Sequence, residues 1–308
     1  MFTSSIIDYN SQLLVYYYSD NKLKNLICYK TLPIWDTKSL PQSFREKHNT
    51  QAGTWAKLQI IKGSMDFKIL TNQGELKSQH HYDVVHQPPF IPPQQWHFID
   101  KVSDDLQCQL SFYCLAEDYT HKKYQMTKTH SDVLATARII PAGKVLDFGC
   151  GSGRNSLYLQ LLGFDVDAVD KSEPSIKNLQ QVINEEKLEH IKATVYDINQ
   201  ANWQGSYDLI ISTVVMMFLQ PEKVPAVLNN MQTITKSGGY NLIVSAMSTK
   251  DYPCFVGFPF TFKENELHSY YQDWEIIKYN EDIGELHKTD INGNRIKLRF
   301  ATLLAKKP

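Results

Sequence analysis

At 308 residues with 42% apolar content, the chain can bury a sizeable core and is long enough for two domains. Thirty-two basic against thirty-three acidic residues leave a net charge of −1, without the basic excess that nucleic-acid or anionic-membrane binding requires, so a small-molecule partner is favoured. Five scattered cysteines with no CxxC pair argue against disulfides and structural zinc.

Residues 1–24 read as a loosely held tail, with a short edge strand over 13–18 as its candidate element. No basic segment leads into a long apolar run, and 13–18 is too short to cross a bilayer, so a cytoplasmic protein with no membrane partner is expected. Residues 25–117 show short apolar runs between turn signals, among them 55–61, 65–70 after Lys62-Gly63, and 107–115, which predicts a small all-β domain. The prolines Pro88, Pro89, Pro92 and Pro93 remove ladder donors, so that run should cap or edge the sheet. Cys108, Leu110, Phe112 and Cys114 alternate on one face of a predicted strand, which makes both cysteines core fillers. Trp55 and Trp96 are further core candidates. His48, His80, His81, His86 and His97 lack the HxH-plus-glutamate spacing of a barrel metal site, and adjacent His80 and His81 should point to opposite faces; no metal ligand is assigned.

From residue 118 to 308, strands alternate with helix-length amphipathic stretches, the signature of the α/β class with a parallel sheet covered on both faces. Strands are predicted at 145–148, 166–169, 193–196, 209–212 and 240–246, and helices at 155–162, 175–187 and 222–236, with Gly163 placed to end the first helix. Segments 274–280 and 296–305 read as strands with only a loop between them, hence as an antiparallel pair.

Val145-Leu146-Asp147-Phe148 leads into Gly149-Cys150-Gly151-Ser152-Gly153 and then a helical pattern, so the glycines sit on a strand-to-helix turn where a ligand can approach bare backbone. Asp170 ends the next predicted strand, where a carboxylate accepts hydrogen bonds from ribose hydroxyls. Together they describe a nucleoside site. A dinucleotide loop needs glycine at position 154, and this chain has Arg154, so a nicotinamide dinucleotide is disfavoured. Cys150 reads as a small filler within the loop.

The GxGxG spacing after Asp147 resembles motif I of class I methyltransferases, whose loop cradles the amino-acid part of S-adenosylmethionine. More specific stretches are Thr127-Lys128-Thr129-His130-Ser131, Gly153-Arg154-Asn155-Ser156-Leu157, Asp251-Tyr252-Pro253-Cys254 and Gly284-Glu285-Leu286-His287-Lys288-Thr289-Asp290. They resemble the bacterial tellurite-resistance methyltransferase family, TehB, from about residue 119 to 307, and residues 26–115 are similar to the cupin-like domain of its longer members. The resemblance implies a Rossmann-like seven-stranded sheet with a C-terminal antiparallel hairpin, and S-adenosylmethionine as cofactor. It makes Asp197 and neighbouring Ile198 adenine-side candidates, although Asp197 also reads as a solvated strand-end carboxylate. The remaining cofactor candidates are Gly149, Gly151, Gly153, Asn155, Asp170, Lys171 and Thr213, with Asp147 below the loop and Tyr124, Lys128 and His130 in the segment leading to the first strand.

The same resemblance implies methyl transfer to tellurite or selenite, giving volatile products. Such oxyanions bring their own lone pair, so the site needs positioning and charge more than a strong base. His287, Lys288 and Arg295 are the catalytic candidates: Lys288 and Arg295 to hold the oxyanion, His287 to orient it or move a proton, with Arg299 a further cation nearby. The alternative reading of this segment is a solvated hairpin turning at Asn292-Gly293. Residues 252–260, apolar and interrupted by proline, suit a lid or a packing segment, with Cys254 as its thiol. Two other functions fit the sequence: methylation of an organic thiol or other small metabolite, and a non-catalytic sensor that binds S-adenosylmethionine. A homo-oligomer is compatible with all three.

Overall fold

The structure, a computed structural model, describes Leu23 and residues 25–308, without the side chains of His287 and Lys288. The strand expected at 13–18 lies outside the described residues. The chain forms two compact units, Met1–Gln125 and Met126–Pro308.

In the first unit, strand β7 (Gln107–Cys114) pairs antiparallel with β1 (Ile27–Thr31) and β2 (Trp35–Asp36) on one edge and with β3 (Trp55–Lys62) on the other. A second sheet sets β4 (Ser64–Leu70) between β5 (Leu76–Asp83) and β6 (His97–Val102), again antiparallel. Period-two alternation turns Ala56, Leu58 and Ile60 of β3, Met65 and Phe67 of β4, and Cys108 and Leu110 of β7 into one core. Cys108 and Cys114 are fully buried, as expected, and burial pushes their thiols up to about 11 and about 12. The proline-rich run edges the sheet: Ile91, between the two proline pairs, exchanges both backbone hydrogen bonds with Ala56, so no proline has to donate. Helix α1 (Ala116–Tyr124) groups with this unit because it packs on β1 and β7.

The second unit opens with α2 (Ser131–Ala137) and then alternates β8 (Lys144–Phe148), α3 (Arg154–Leu161), β9 (Asp165–Asp170), α4 (Glu173–Glu186), β10 (Ile191–Val195), β11 (Tyr207–Thr213), α5 (Val224–Ile234) and β12 (Thr235–Ala246). After the short α6 (Glu266–Ser269), β13 (Glu275–Thr289) and β14 (Arg295–Lys306) form the predicted hairpin. The seven strands lie in the order β10-β9-β8-β11-β12-β14-β13, parallel except for β14, which runs antiparallel to both neighbours. This is the class I methyltransferase sheet. Chain order reverses between β8 and β11, which opens a crevice at their carboxyl ends. No helix among the described residues is long and apolar enough to cross a membrane.

Two boundaries differ from expectation. The helix expected at 222–236 ends at Ile234, because Thr235 pairs with Tyr207 and starts β12 early, with Gly238 at φ +74° absorbing the irregularity that follows. The strand expected at 274–280 continues to Thr289, because β14 offers it a partner from Asp282↔Phe300 to Thr289↔Arg295. Polar, exposed positions on this outermost strand hid its continuation.

Leu146, Phe148, Ile210, Ile243 and Leu303 from four adjacent strands share one fully buried cluster with helix α5. Leu303→Ala should therefore cost about 2–5 kcal/mol, read by urea denaturation; a loss below about 1 kcal/mol would contradict the central packing of β14.

Candidate cofactor and acceptor site

The glycine loop spans the turn from β8 to α3 with Gly149, Gly151 and Gly153 all at positive φ, +96°, +54° and +88°. Each answers a different demand. A Cβ on Gly149 would lie 2.5 Å from Val215 Cγ2, and one on Gly153 would lie 2.6 Å from Leu179 Cδ1, so both permit close packing. A Cβ on Gly151 would meet nothing within 4 Å, because this residue faces the crevice.

Gly149 and Gly151 line a cavity of about 270 Å³ together with Asp170, Lys171, Asp197, Ile198 and Thr213. The Asp170 carboxylate is held in place by two backbone donors, Gly151 N–H at 2.9 Å and Ser172 N–H at 2.8 Å. Asp197 caps the turn Ile198–Gln200, accepting from Asn199 N–H at 3.0 Å, and so combines its strand-end position with a capping role. A fixed carboxylate beside an open glycine backbone fits a ribose and the chain attached to it.

Other predicted residues stand behind this wall. Asn155 accepts from the His130 backbone N–H at 3.0 Å and donates to Thr213 Oγ1 at 3.0 Å, tying the leading segment to the end of β11. Arg154 donates to Thr127 Oγ1 and to the Lys128 carbonyl, both at 3.1 Å. The residue that excluded a dinucleotide loop thus stitches the leading segment onto α3. Lys128 supplies its carbonyl there, while its side chain is exposed. His130 caps α2, its Nδ1 accepting from Asp132 N–H. Tyr124 closes α1 in the first unit, its ring edge-on to Tyr119.

A second and larger cavity, about 820 Å³, shares Val214 and Phe218 with the first. His130, Asp132, Arg154, Lys278, Leu286 and Phe300 form part of its wall, and Val256 and Phe258 bring the predicted lid segment into it. Phe258 packs edge-on to Phe218 at 5.3 Å, while Phe255 is almost fully exposed. Cys254 is half-buried, its Sγ directed to the Val256 carbonyl. Lys278 joins β13 to α2 through Asp132 at 2.6 Å. Sequence reasoning missed Val214, whose φ of +61° is a strained conformation for a β-branched residue and whose N–H is held by the Val244 carbonyl at 2.6 Å. The sequence carries no sign of this, since valine argues against such a backbone.

Of the catalytic candidates, His287 and Lys288 continue β13 directly after Leu286, and their side chains lie outside the described residues. Arg295 is exposed and pairs with Thr289 at the start of β14. The turn between them is built by Asp290, whose Oδ1 accepts from Asn292 and Asn294 N–H at 2.9 Å, with Gly293 at φ +80°. Arg299 is committed to the Glu281 carbonyl and the Asp251 carboxylate, both at 2.7 Å, which makes it a bridge within the fold.

Asp147 lines neither cavity; it is 1% exposed beneath the loop and accepts a 2.6 Å hydrogen bond from the Ser156 hydroxyl. Burial pushes its carboxyl up to about 7, against the pull of Ser156 and Arg154. Between its ordinary value of 3.8 and about 7, the folded chain holds a proton that the unfolded chain has released. Its contribution to stability therefore falls as pH rises through that window, by at most about 1.4 kcal/mol per pH unit, and is level above it. Urea midpoints of Asp147→Asn between pH 5 and 7 should show a flatter pH dependence than the parent; an unchanged slope would contradict the raised carboxyl.

The family model for Tellurite resistance protein TehB matches residues 112–304, and the TehB-like domain matches residues 30–110. A "Probable S-adenosyl-L-methionine-dependent methyltransferase TehB" of Haemophilus influenzae is 56% identical over 286 residues, 92% of this chain and 100% of that protein. The crystal structure of TehB from Haemophilus influenzae aligns with a TM-score of 0.89 at 54% identity, covering 93% of this chain and 100% of that one. A protein of Eikenella corrodens named Hemagglutinin 1 is 48% identical over 70% of this chain and 72% of its own length. The chain belongs to the TehB family and is an S-adenosylmethionine-dependent methyltransferase.

Proposed function

We propose that the chain methylates tellurite, and selenite with it, at the chalcogen lone pair, and that reduction of the methylated oxyanion by cellular thiols yields volatile products, so conferring tellurite resistance. The observation that supports this reading is that the two cavities share Val214 and Phe218 as lining residues, with the second bounded by the strand that runs on into His287 and Lys288. In this reading Gly149, Gly151 and Gly153 cradle the amino-acid end of the cofactor, Asp170 accepts from its ribose, and Asp197 and Ile198 border the adenine. Lys171 and Thr213 complete that wall, while Asn155, Lys128, His130 and Tyr124 support the leading segment. When bound, S-adenosylmethionine supplies an electrophilic sulfonium methyl to an acceptor lone pair aligned behind it.

Lys288 and Arg295 hold the oxyanion, and their charge offsets the repulsion among its oxygens. His287 orients the acceptor or carries a proton. Val256 and Phe258 exclude water from the path of transfer. The first unit is read as cupin-like, the limits 25–117 and 118–308 as those of the two domains, and the protein as cytoplasmic. One observation favours a second acceptor class: Val256, Phe258, Leu286 and Phe300 give the larger cavity an apolar wall suited to an organic thiol.

Release of S-adenosylhomocysteine with tellurite, selenite and simple thiols, each measured separately, decides between them. Turnover on tellurite or selenite is expected, and activity on thiols alone would overturn the oxyanion reading. Lys288→Ala and Arg295→Ala should each lower kcat/KM for tellurite about 10- to 100-fold, the loss expected for a charged hydrogen bond, while leaving S-adenosylmethionine affinity within about twofold. Gly151→Ala should do the opposite: its Cβ meets nothing and its φ of +54° costs only about 1–2 kcal/mol, so it should fold, and it should bind S-adenosylmethionine at least about tenfold more weakly by calorimetry. Undiminished affinity would remove the loop from the cofactor site.

A further inference from the structure

The first unit encloses a cavity of about 440 Å³ that the methyltransferase chemistry does not use. Its size is that of a small-molecule site. Leu58, Phe67, Ile99, Leu110 and Phe112 give it an apolar floor, and His48 and His97 stand side by side in its wall. These two residues come from distant parts of the sequence and are locked together by reciprocal backbone hydrogen bonds of 3.1 and 2.9 Å. Their ring centroids are 4.3 Å apart.

Hydrogen-bond chemistry fixes what the two rings offer. The Nδ1 of His48 lies 2.8 Å from the Glu46 carbonyl, and the Nδ1 of His97 lies 2.7 Å from the Gln95 carbonyl. A carbonyl can only accept, so each Nδ1 carries a hydrogen and each neutral ring presents a bare Nε2 lone pair. Among the described residues no protein donor meets either Nε2. Two adjacent acceptors of this kind call for a proton. Among the described residues, the titratable groups lining the cavity are Tyr29, Lys30, His48, His97, His121 and Lys122, with no carboxylate. Lys122 Nζ donates to Thr54 Oγ1 at 2.8 Å and to the Ala52 carbonyl at 3.0 Å, and Tyr29 Oη shares Thr54 Oγ1 at 3.3 Å. Beside neutral polar groups such as Asn49, Thr50 and Gln51, the described polar lining thus holds lysines and imidazoles.

We infer that this cavity is a second binding site, for a small organic acid with an apolar body, whose carboxyl group is received by His48 and His97. An apolar floor selects the body, the lysines select negative charge, and the paired lone pairs select a carboxyl that arrives with one proton. Burial lowers both imidazoles from the ordinary histidine range, His97 to about 4, so His97 is neutral in the empty cavity at pH 6. Binding then joins one carboxylate and one proton from water to the histidine pair. The proton is shared between a carboxyl oxygen and Nε2, and no covalent bond is made or broken.

Calorimetry of the full-length protein with benzoate, at pH 6 in MES and in Bis-Tris buffer, tests this. Saturable binding is expected, with a buffer-dependent enthalpy that reports uptake of close to one proton, and affinity should weaken by up to about tenfold per pH unit as pH rises from 6. His48→Gln and His97→Gln should each weaken benzoate at least about tenfold and abolish the proton uptake. An unchanged urea unfolding transition of each full-length variant serves as the folding control for the first unit, and His48→Gln is the milder change because that ring is only half-buried. The inference is overturned if benzoate does not bind at about 10 mM, if it binds without proton uptake, if benzyl alcohol binds as tightly, or if both folded variants bind it as the parent does.

Discussion

The second unit depends on how closely two strand ends can approach one another. Where β8 and β11 finish side by side, Gly149 makes room for Val215, with 2.5 Å between a Cβ it lacks and the valine Cγ2. Val214, one residue earlier, holds a backbone conformation valine resists, pinned by the Val244 carbonyl. The crevice at the sheet's topological reversal holds two cavities that have Val214 and Phe218 in common as lining residues. One has the fixed carboxylate and bare glycine backbone that suit a nucleoside. The other has the volume and mixed wall that suit an acceptor.

Buried polar contacts hold this arrangement from beneath. Asp147 takes the Ser156 hydroxyl, Asn155 links His130 to Thr213, and the Ser212 hydroxyl donates to the Phe148 carbonyl at 3.0 Å. Each joins the loop, the leading segment or the sheet to a neighbouring element, so removing one partner strands another in a low-dielectric interior. Arg154 extends the network to Thr127 and Lys128. Gly151 and Asp170 line the first cavity, whereas Asp147 lies buried beneath the loop and holds it through Ser156.

Legibility in the sequence followed the range of the interactions involved. The GxGxG turn, Asp170 at its strand end and the alternation of strands and helices are local patterns, and the structure keeps them within a residue or two. The continuation of β13 to Thr289 was hidden because its stabilisation comes from β14, while its own residues from Glu281 onward are largely polar. Val214 was invisible for the opposite reason: its residue type contradicts its conformation, which tertiary contacts impose. The His48 and His97 pair lacked any spacing motif, since a backbone bridge between distant segments creates it. Arg154 disfavours a dinucleotide loop from the sequence alone, but its anchoring role required knowledge of where residues 127 and 128 lie.

The account rests on the two cavities being successive parts of one transfer path. A crystal structure of the protein with S-adenosylhomocysteine tests this most directly. The ribose hydroxyls should lie within hydrogen-bond distance of Asp170, with the sulfur turned toward the junction at Val214 and Phe218 and open to the larger cavity. A ribose bound away from Asp170, or a sulfur sealed from the larger cavity, would contradict it.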